Sequence, residues 1–150
     1  MILETIKGDI FHPFEDGIYA ALVHGCNCFH TMGGGIARSV RLLYPEAYDS
    51  DLQTVKGDVT KLGSYSEFDT GHGIIINGYT QFMYGGIDRK HVDYDAIRSV
   101  FKQLNTRFKD QIICIPMIGA GLAGGDWEVI SSIINEETPD VAVHLYVFDG

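Results

Sequence analysis

The sequence predicts an α/β fold with a mixed, mostly parallel sheet covered by helices on both faces, and two observations carry that expectation. First, segments with the alternating or continuous apolar character of strands take turns along 150 residues with segments of helical periodicity. Second, two glycine runs, Gly33-Gly34-Gly35 and Gly119-x-Gly121-x-x-Gly124, each follow a strand-like segment and precede a helical one. That order places both at the carboxyl edge of the sheet, where open α/β folds bind ligands.

Alternation over residues 2–6 suggests an opening strand, and residues 18–24 read as a second that ends at Gly25. In residues 35–43, Ile36, Val40 and Leu43 recur at helical spacing; Tyr44-Pro45 stops or bends that helix before a short continuation through Tyr48. Residues 74–76 are β-branched and apolar throughout, as a central strand requires. Residues 93–108 carry Ile97, Val100, Phe101, Leu104 and Phe108 on one helical face. A short apolar strand at 111–116 runs into the second glycine loop, followed by a helix from 126 to about 137 and a last strand at 141–148. A chain of this length suits one domain, 1–150, able to bury a core without staples. The tetrapeptides Lys7-Gly8-Asp9-Ile10 and Lys56-Gly57-Asp58-Val59 are alike, but their surroundings differ and the likeness reads as coincidence.

The formal charge of −9 argues against long nucleic acid as a partner, because phosphate-backbone binding needs clustered Lys and Arg. A small anion remains compatible, since backbone N–H groups at turns and helix N-termini hold phosphates without basic side chains. Apolar runs such as 112–115 and 73–76 are too short to span a bilayer, and no leader pattern opens the chain. No membrane association and a cytoplasmic location are therefore expected. Cys26, Cys28 and Cys114 are too few for a disulfide framework and are expected to be reduced.

The second glycine run satisfies the dinucleotide fingerprint, whose glycines let the backbone approach a pyrophosphate. It sits too late in the chain for a Rossmann fold, which needs several further strands. A ligand-free turn is the plain alternative, but two such loops at one edge can hold the two ends of one diphosphate. His24-x-Cys26-x-Cys28-x-His30 invites a zinc site. In an extended segment the outer pair would lie about 20 Å apart, so no metal and no cofactor are expected. Asn27, between the cysteines, can donate to and accept from a sugar hydroxyl, or simply form a turn. His30, beside the first glycine run, is a candidate for proton transfer, with a solvated loop histidine as the alternative.

Together these segments resemble the macro domain family. The resemblance runs through Lys7-Gly8-Asp9-Ile10, Cys26-Asn27-Cys28, Gly33-Gly34-Gly35-Ile36-Ala37, Tyr44-Pro45-Glu46-Ala47-Tyr48, Tyr79-Thr80-Gln81, Tyr84-Gly85, and Pro116-x-Ile118-Gly119-Ala120-Gly121-Leu122-Ala123-Gly124 followed by Trp127. Within the family it is most similar to the branch containing the fungal ADP-ribose 1''-phosphate phosphatase and short phage proteins.

The resemblance implies a three-layer α/β/α domain that binds ADP-ribose, with roles at matching positions. Asp9 would accept from the adenine amino group, the Ile10 backbone would lie beside the ring, and Phe148 would pack on its face. Asn27 would hold the distal ribose; Gly33, Gly34, Gly35 and Ile36 would wrap that ribose and one phosphate. Gly119, Ala120, Gly121, Leu122 and Ala123 would offer N–H groups to the diphosphate. The implied activity is hydrolysis of ADP-ribose 1''-phosphate to ADP-ribose and phosphate, with Asn27 orienting the ribose and His30 added as proton carrier from its position alone. The alternatives are a non-catalytic ADP-ribose-binding module and a hydrolase acting on ADP-ribosylated protein or nucleic acid. A related branch removes ADP-ribose from glutamate with a lysine and an aspartate, where this chain carries Gln81 and Ala123; that mechanism is not expected here.

Overall fold

The computed structural model describes residues 1–84, 91–121 and 123–148. Six strands form one sheet: β1 (Ile2–Lys7), β2 (Ala21–Cys26), β3 (Tyr65–Asp69), β4 (Ile74–Tyr79), β5 (Ile112–Ile115) and β6 (Ala142–Val147), in the spatial order β1-β6-β5-β2-β4-β3. All neighbouring pairs are parallel except β3 with β4.

Among the described residues the helices are α1 (Phe11–Glu15), α2 (Gly35–Leu43), α3 (Pro45–Leu52), α4 (Tyr94–Arg107) and α5 (Trp127–Glu137), with a 3-10 turn at Val59–Lys61. Strand alternation divides the core between the two faces of the sheet. Ala21, Val23, Ile113, Ile115, Val143 and Leu145 pack with Ile97, Val100, Phe101 and Leu104 of α4 and Ile130 and Ile134 of α5. Leu22, Ile75, Cys114 and Tyr146 pack on the opposite side with Phe11 and Phe14 of α1, Val40 of α2 and Ala47 of α3. The result is three layers.

Helix starts follow their capping chemistry. Asp93 Oδ1 accepts from the Ala96 N–H at 3.0 Å to open α4, and Asp126 Oδ1 accepts from the Glu128 N–H at 2.9 Å to open α5. Pro45 sits in the first turn of α3, where its missing N–H costs nothing, so the tyrosine-proline pair ends α2 and starts α3. The second strand begins at Ala21 rather than residue 18: Ile18 is 61% exposed and precedes the buried run. The two similar tetrapeptides share a local device. Asp9 and Asp58 each accept from the backbone N–H two residues on, at 2.9 Å, just before a short helical segment.

The strand order fixes where a ligand can sit. The chain leaving β2 passes through α2 and α3 towards β3 and β4, whereas the chain leaving β5 passes through α5 towards β6 on the other side. Between the carboxyl ends of β2 and β5 the connections therefore diverge and open a crevice. Both glycine loops, residues 27–34 and 116–126, border it.

Beneath the crevice lies a buried polar network. His24 is fully buried and its Nε2 is 2.7 Å from Asn77 Oδ1; the Asn77 amide donates to the Ala47 carbonyl at 2.9 Å and to Ser66 Oγ at 3.1 Å. Burial pulls the His24 pKa down from 6.5 to about 4, opposed by the bond to Asn77. An unfolded chain would take up this proton near pH 6.5 and the folded one only near pH 4. Stability is thus unaffected above that window and falls as pH drops through it, by about 3 kcal/mol in full. In an NMR titration the His24 ring signals should stay fixed as pH falls from 7 to about 5; a His24 midpoint near neutrality would refute this.

Candidate ligand-binding cleft

A cleft of about 1100 Å³ occupies the crevice. Its walls come from the ends of five parallel strands: Gly8, Asp9 and Ile10 after β1; Asn27, Thr31 and Gly33–Gly35 after β2; Gln81 and Tyr84 after β4; Pro116–Gly121 and Ala123 after β5; and Phe148 after β6. By sheet order, Asp9 and Phe148 stand at one end, Gln81 and Tyr84 at the other, and the two glycine loops face each other between them. No Lys, Arg or His is among the described residues that line it.

The first loop is pinned from inside by Asn27. Its amide nitrogen donates to the Thr31 carbonyl at 3.0 Å and to Thr31 Oγ1 at 2.6 Å, while its Oδ1 accepts from the Phe29 N–H at 2.8 Å. Both amide hydrogens are thereby engaged, leaving one Oδ1 lone pair for a ligand hydroxyl. Thr31, which sequence reasoning missed, is what holds Asn27 in place. The run continues into α2: Gly34 is its N-cap, with no side-chain cap, and Gly35 its first residue. The first N–H groups of that helix thus lack a side-chain partner, and residues 34–37 line the cleft.

The second loop is folded tightly on itself. The Gly125 N–H donates to the Gly119 carbonyl at 2.7 Å, and the Gly124 N–H to the Gly121 carbonyl at 3.0 Å. Gly119 has φ +76°, and a Cβ there would lie 2.7 Å from Val92 Cγ2, so both conformation and space demand glycine. The Ala120 N–H, expected to face a diphosphate, donates at 3.3 Å to the Met117 carbonyl. Leu122 and Gly85 lie outside the described residues.

Asp9 is exposed at its end of the cleft, and its Oδ1 accepts from the Phe11 N–H to start α1, so one oxygen is structural. Ile10 is buried against the core beside it, and Phe148 is 80% exposed over the cleft. Leu43, which the helical pattern counts as core, is 51% exposed and forms part of the wall instead.

His30 is not brought to the cleft. Its Nε2 is 3.2 Å from Thr54 Oγ1, and its carbonyl accepts from Tyr48 OH at 2.7 Å. The expectation of a proton carrier in the site therefore gives way to a residue turned towards the back of the loop. Of the remaining zinc-like set, Cys26 faces the cleft and Cys28 is fully buried. Among the described residues no three His, Cys, Asp or Glu side chains group closely enough to hold a metal ion. Burial, reinforced by Asp51, pushes the Cys26 thiol well above its ordinary range. It stays protonated and is a poor nucleophile.

Fold and cleft define an α/β module whose cleft lies along the carboxyl edge of its sheet, with the two glycine loops at the centre. No protein-family model matches the sequence. It is 40% identical over 144 residues to an uncharacterized 17.5 kDa protein from the tk-vs intergenic region of Enterobacteria phage T4, covering 90% of this chain and 89% of that protein. It is 25% identical over 162 residues to an ADP-ribose 1''-phosphate phosphatase of Lodderomyces elongisporus, covering 99% and 100% of the two chains. Among solved structures, the macrodomain of Mycobacterium tuberculosis DarG superposes with a TM-score of 0.75 at 24% identity, over 97% of each chain, and shares the fold. The chain has the macrodomain fold and is a relative of that phage protein. No helix among the described residues is long and apolar enough to cross a membrane.

Proposed function

We propose that the cleft binds ADP-ribose and that the protein hydrolyses ADP-ribose 1''-phosphate to ADP-ribose and phosphate. One observation carries this reading: two glycine loops converge on one cleft, with the Asp9 carboxylate and the exposed Phe148 ring at one end and the Asn27 amide towards the other. Asp9 and Phe148 would take the adenine, the two loops the diphosphate, and Asn27 with Gly33–Ile36 the distal ribose. Relatives named for this phosphatase activity support the substrate, at low identity.

In the reaction a water oxygen attacks the 1''-phosphorus, the bond from phosphorus to the 1''-oxygen breaks, and that oxygen takes a proton from solvent. The chain's own contribution is to fix the phosphate between oriented N–H dipoles and hold the ribose in line with the attacking water, effects that supply much of the acceleration where no side-chain base acts. Incubation with ADP-ribose 1''-phosphate in excess EDTA, with phosphate measured, tests the proposal. Phosphate release well above buffer is expected, and none would end it.

A specific observation favours a second reading. Gln81 and Ala123 stand in the cleft wall where a related branch carries its reactive lysine and aspartate, which supports a module that captures free or protein-attached ADP-ribose without turnover. Micromolar binding without hydrolysis of phosphorylated, protein-linked or nucleic-acid-linked ADP-ribose would select it over both the phosphatase and a de-ADP-ribosylating hydrolase.

A further inference from the structure

We propose that residues 48–61 clamp the outer side of the first glycine loop, and that His30 is a positioning residue within this clamp, setting the loop for the distal half of the ligand. The proposal rests on the ADP-ribose reading of the cleft.

Four contacts make the clamp. The Cys28 carbonyl accepts from the Gly57 N–H at 2.7 Å and from Lys61 Nζ at 3.4 Å. The His30 carbonyl accepts from Tyr48 OH at 2.7 Å, and the His30 ring meets Thr54 Oγ1 at 3.2 Å. Thr54 gives its own hydroxyl hydrogen to the Asp51 carbonyl at 2.6 Å, so its oxygen is left to accept and His30 Nε2 is the donor. Gly57, at φ +74°, lets the Phe29 ring lie against the clamp: a Cβ there would be 3.1 Å from Phe29 Cε1.

The clamp is rooted in the core. Lys61 is almost fully buried, with its ammonium 4.6 Å from the centre of the Tyr79 ring, and Tyr79 OH donates to buried Asp51 at 2.6 Å. Tyr48 reaches the other end of the loop as well, since the Arg41 guanidinium of α2 lies 4.7 Å from its ring centre. One tyrosine thus touches the loop before the glycine run and the helix after it.

His30 explains why a clamp is needed. Its φ of +60° is a left-handed conformation that a histidine adopts at a cost, and it turns the chain so that Thr31 and Gly33 to Gly35 face the cleft. Asn27 holds the inside of that bend; Tyr48 and Thr54 hold the outside.

Tyr48→Phe keeps the ring and its Arg41 contact and removes only the hydroxyl. Calorimetry with ADP-ribose and with AMP, which lacks the distal ribose, separates positioning from general stability. About a tenfold loss for ADP-ribose is expected, with AMP within about twofold and the melting curve nearly unchanged. His30→Gly, which accepts the left-handed backbone freely and keeps the carbonyl bond to Tyr48 but loses the ring contact to Thr54, should lose only about threefold in ADP-ribose affinity, whereas β-branched His30→Val should lose as much as Tyr48→Phe or more. Equal losses for both ligands in Tyr48→Phe, or none, would overturn the proposal. So would abolished phosphate release in His30→Gly with ADP-ribose affinity intact, since that would make His30 a catalytic group. If the unaltered protein binds AMP but not ADP-ribose, the reading beneath falls together with the proposal; normal ADP-ribose binding with insensitive variants removes the clamp alone.

Discussion

Replacing Asp9 with alanine is expected to weaken ADP-ribose binding by roughly 10- to 150-fold, the loss of one charge-assisted hydrogen bond contributing about 1.5–3 kcal/mol. Affinity for ribose 5-phosphate, which has no base, should barely change. The alanine also removes the acceptor for the Phe11 N–H in the turn before α1, and one such lost hydrogen bond costs about 1 kcal/mol of stability. Asp9→Asn divides the two roles. Its carbonyl oxygen can keep the turn, while its amide presents hydrogens to the adenine amine. Both variants should therefore lose ADP-ribose affinity, and only Asp9→Ala should melt lower. Parallel losses for the two ligands, measured by calorimetry beside melting curves, would remove Asp9 from adenine recognition.

Gly121→Val should be as damaging to binding and almost silent in the fold. A Cβ at Gly121 meets nothing within 4 Å, and its φ lies outside the left-handed range, so the protein tolerates the side chain. The space it enters is the cleft between the two loops. Overfilling a site that needs close backbone approach costs about 2–3 kcal/mol, or roughly 30- to 150-fold in affinity. Gly119→Ala is the contrasting case. Its Cβ would lie 2.7 Å from Val92 and its φ is +76°, so the loss there falls on thermal stability. Unchanged ADP-ribose affinity in a well-folded Gly121→Val would show that the second loop does not approach the ligand.

The parts of this architecture that were legible in the sequence are those where one local rule acts alone. Residues 35–43 were readable because a glycine run, a helical apolar spacing and a tyrosine-proline stop agree, and α2 spans that same stretch. The α4 face was readable from Ile97, Val100, Phe101 and Leu104, all fully buried. β3 was not, because its two large apolar residues, Tyr65 and Phe68, lie three apart and pack on opposite faces of the sheet, so no alternation shows; the strand is held by antiparallel pairing with β4 and by the Arg107 fork on Glu67, both distant in sequence. α1 has five residues and a proline, too few for a period.

In the cleft, the sequence located both loops through their glycines but not the direction of the side chains between them. His24 and His30 share a spacing with the cysteines, yet one turns to Asn77 under the sheet edge and the other to Thr54 behind the loop. Such partners lie 53 and 24 residues away along the chain, beyond the reach of any local pattern. Thr31 escaped notice because its importance comes entirely from the Asn27 amide.

On the proposed function, an anion held by peptide dipoles inside a chain of formal charge −9 has a consequence for ionic strength. The dipoles act only at contact, whereas the net charge repels an approaching dianion over about 30 Å in dilute buffer at roughly 0.01 M salt, and over only about 10 Å at roughly 0.1 M. Added salt screens that repulsion without competing for lysines or arginines, so the rate of capture should rise with salt rather than fall. Polyanions meet the same barrier many times over, which disposes the cleft towards small, compact guests.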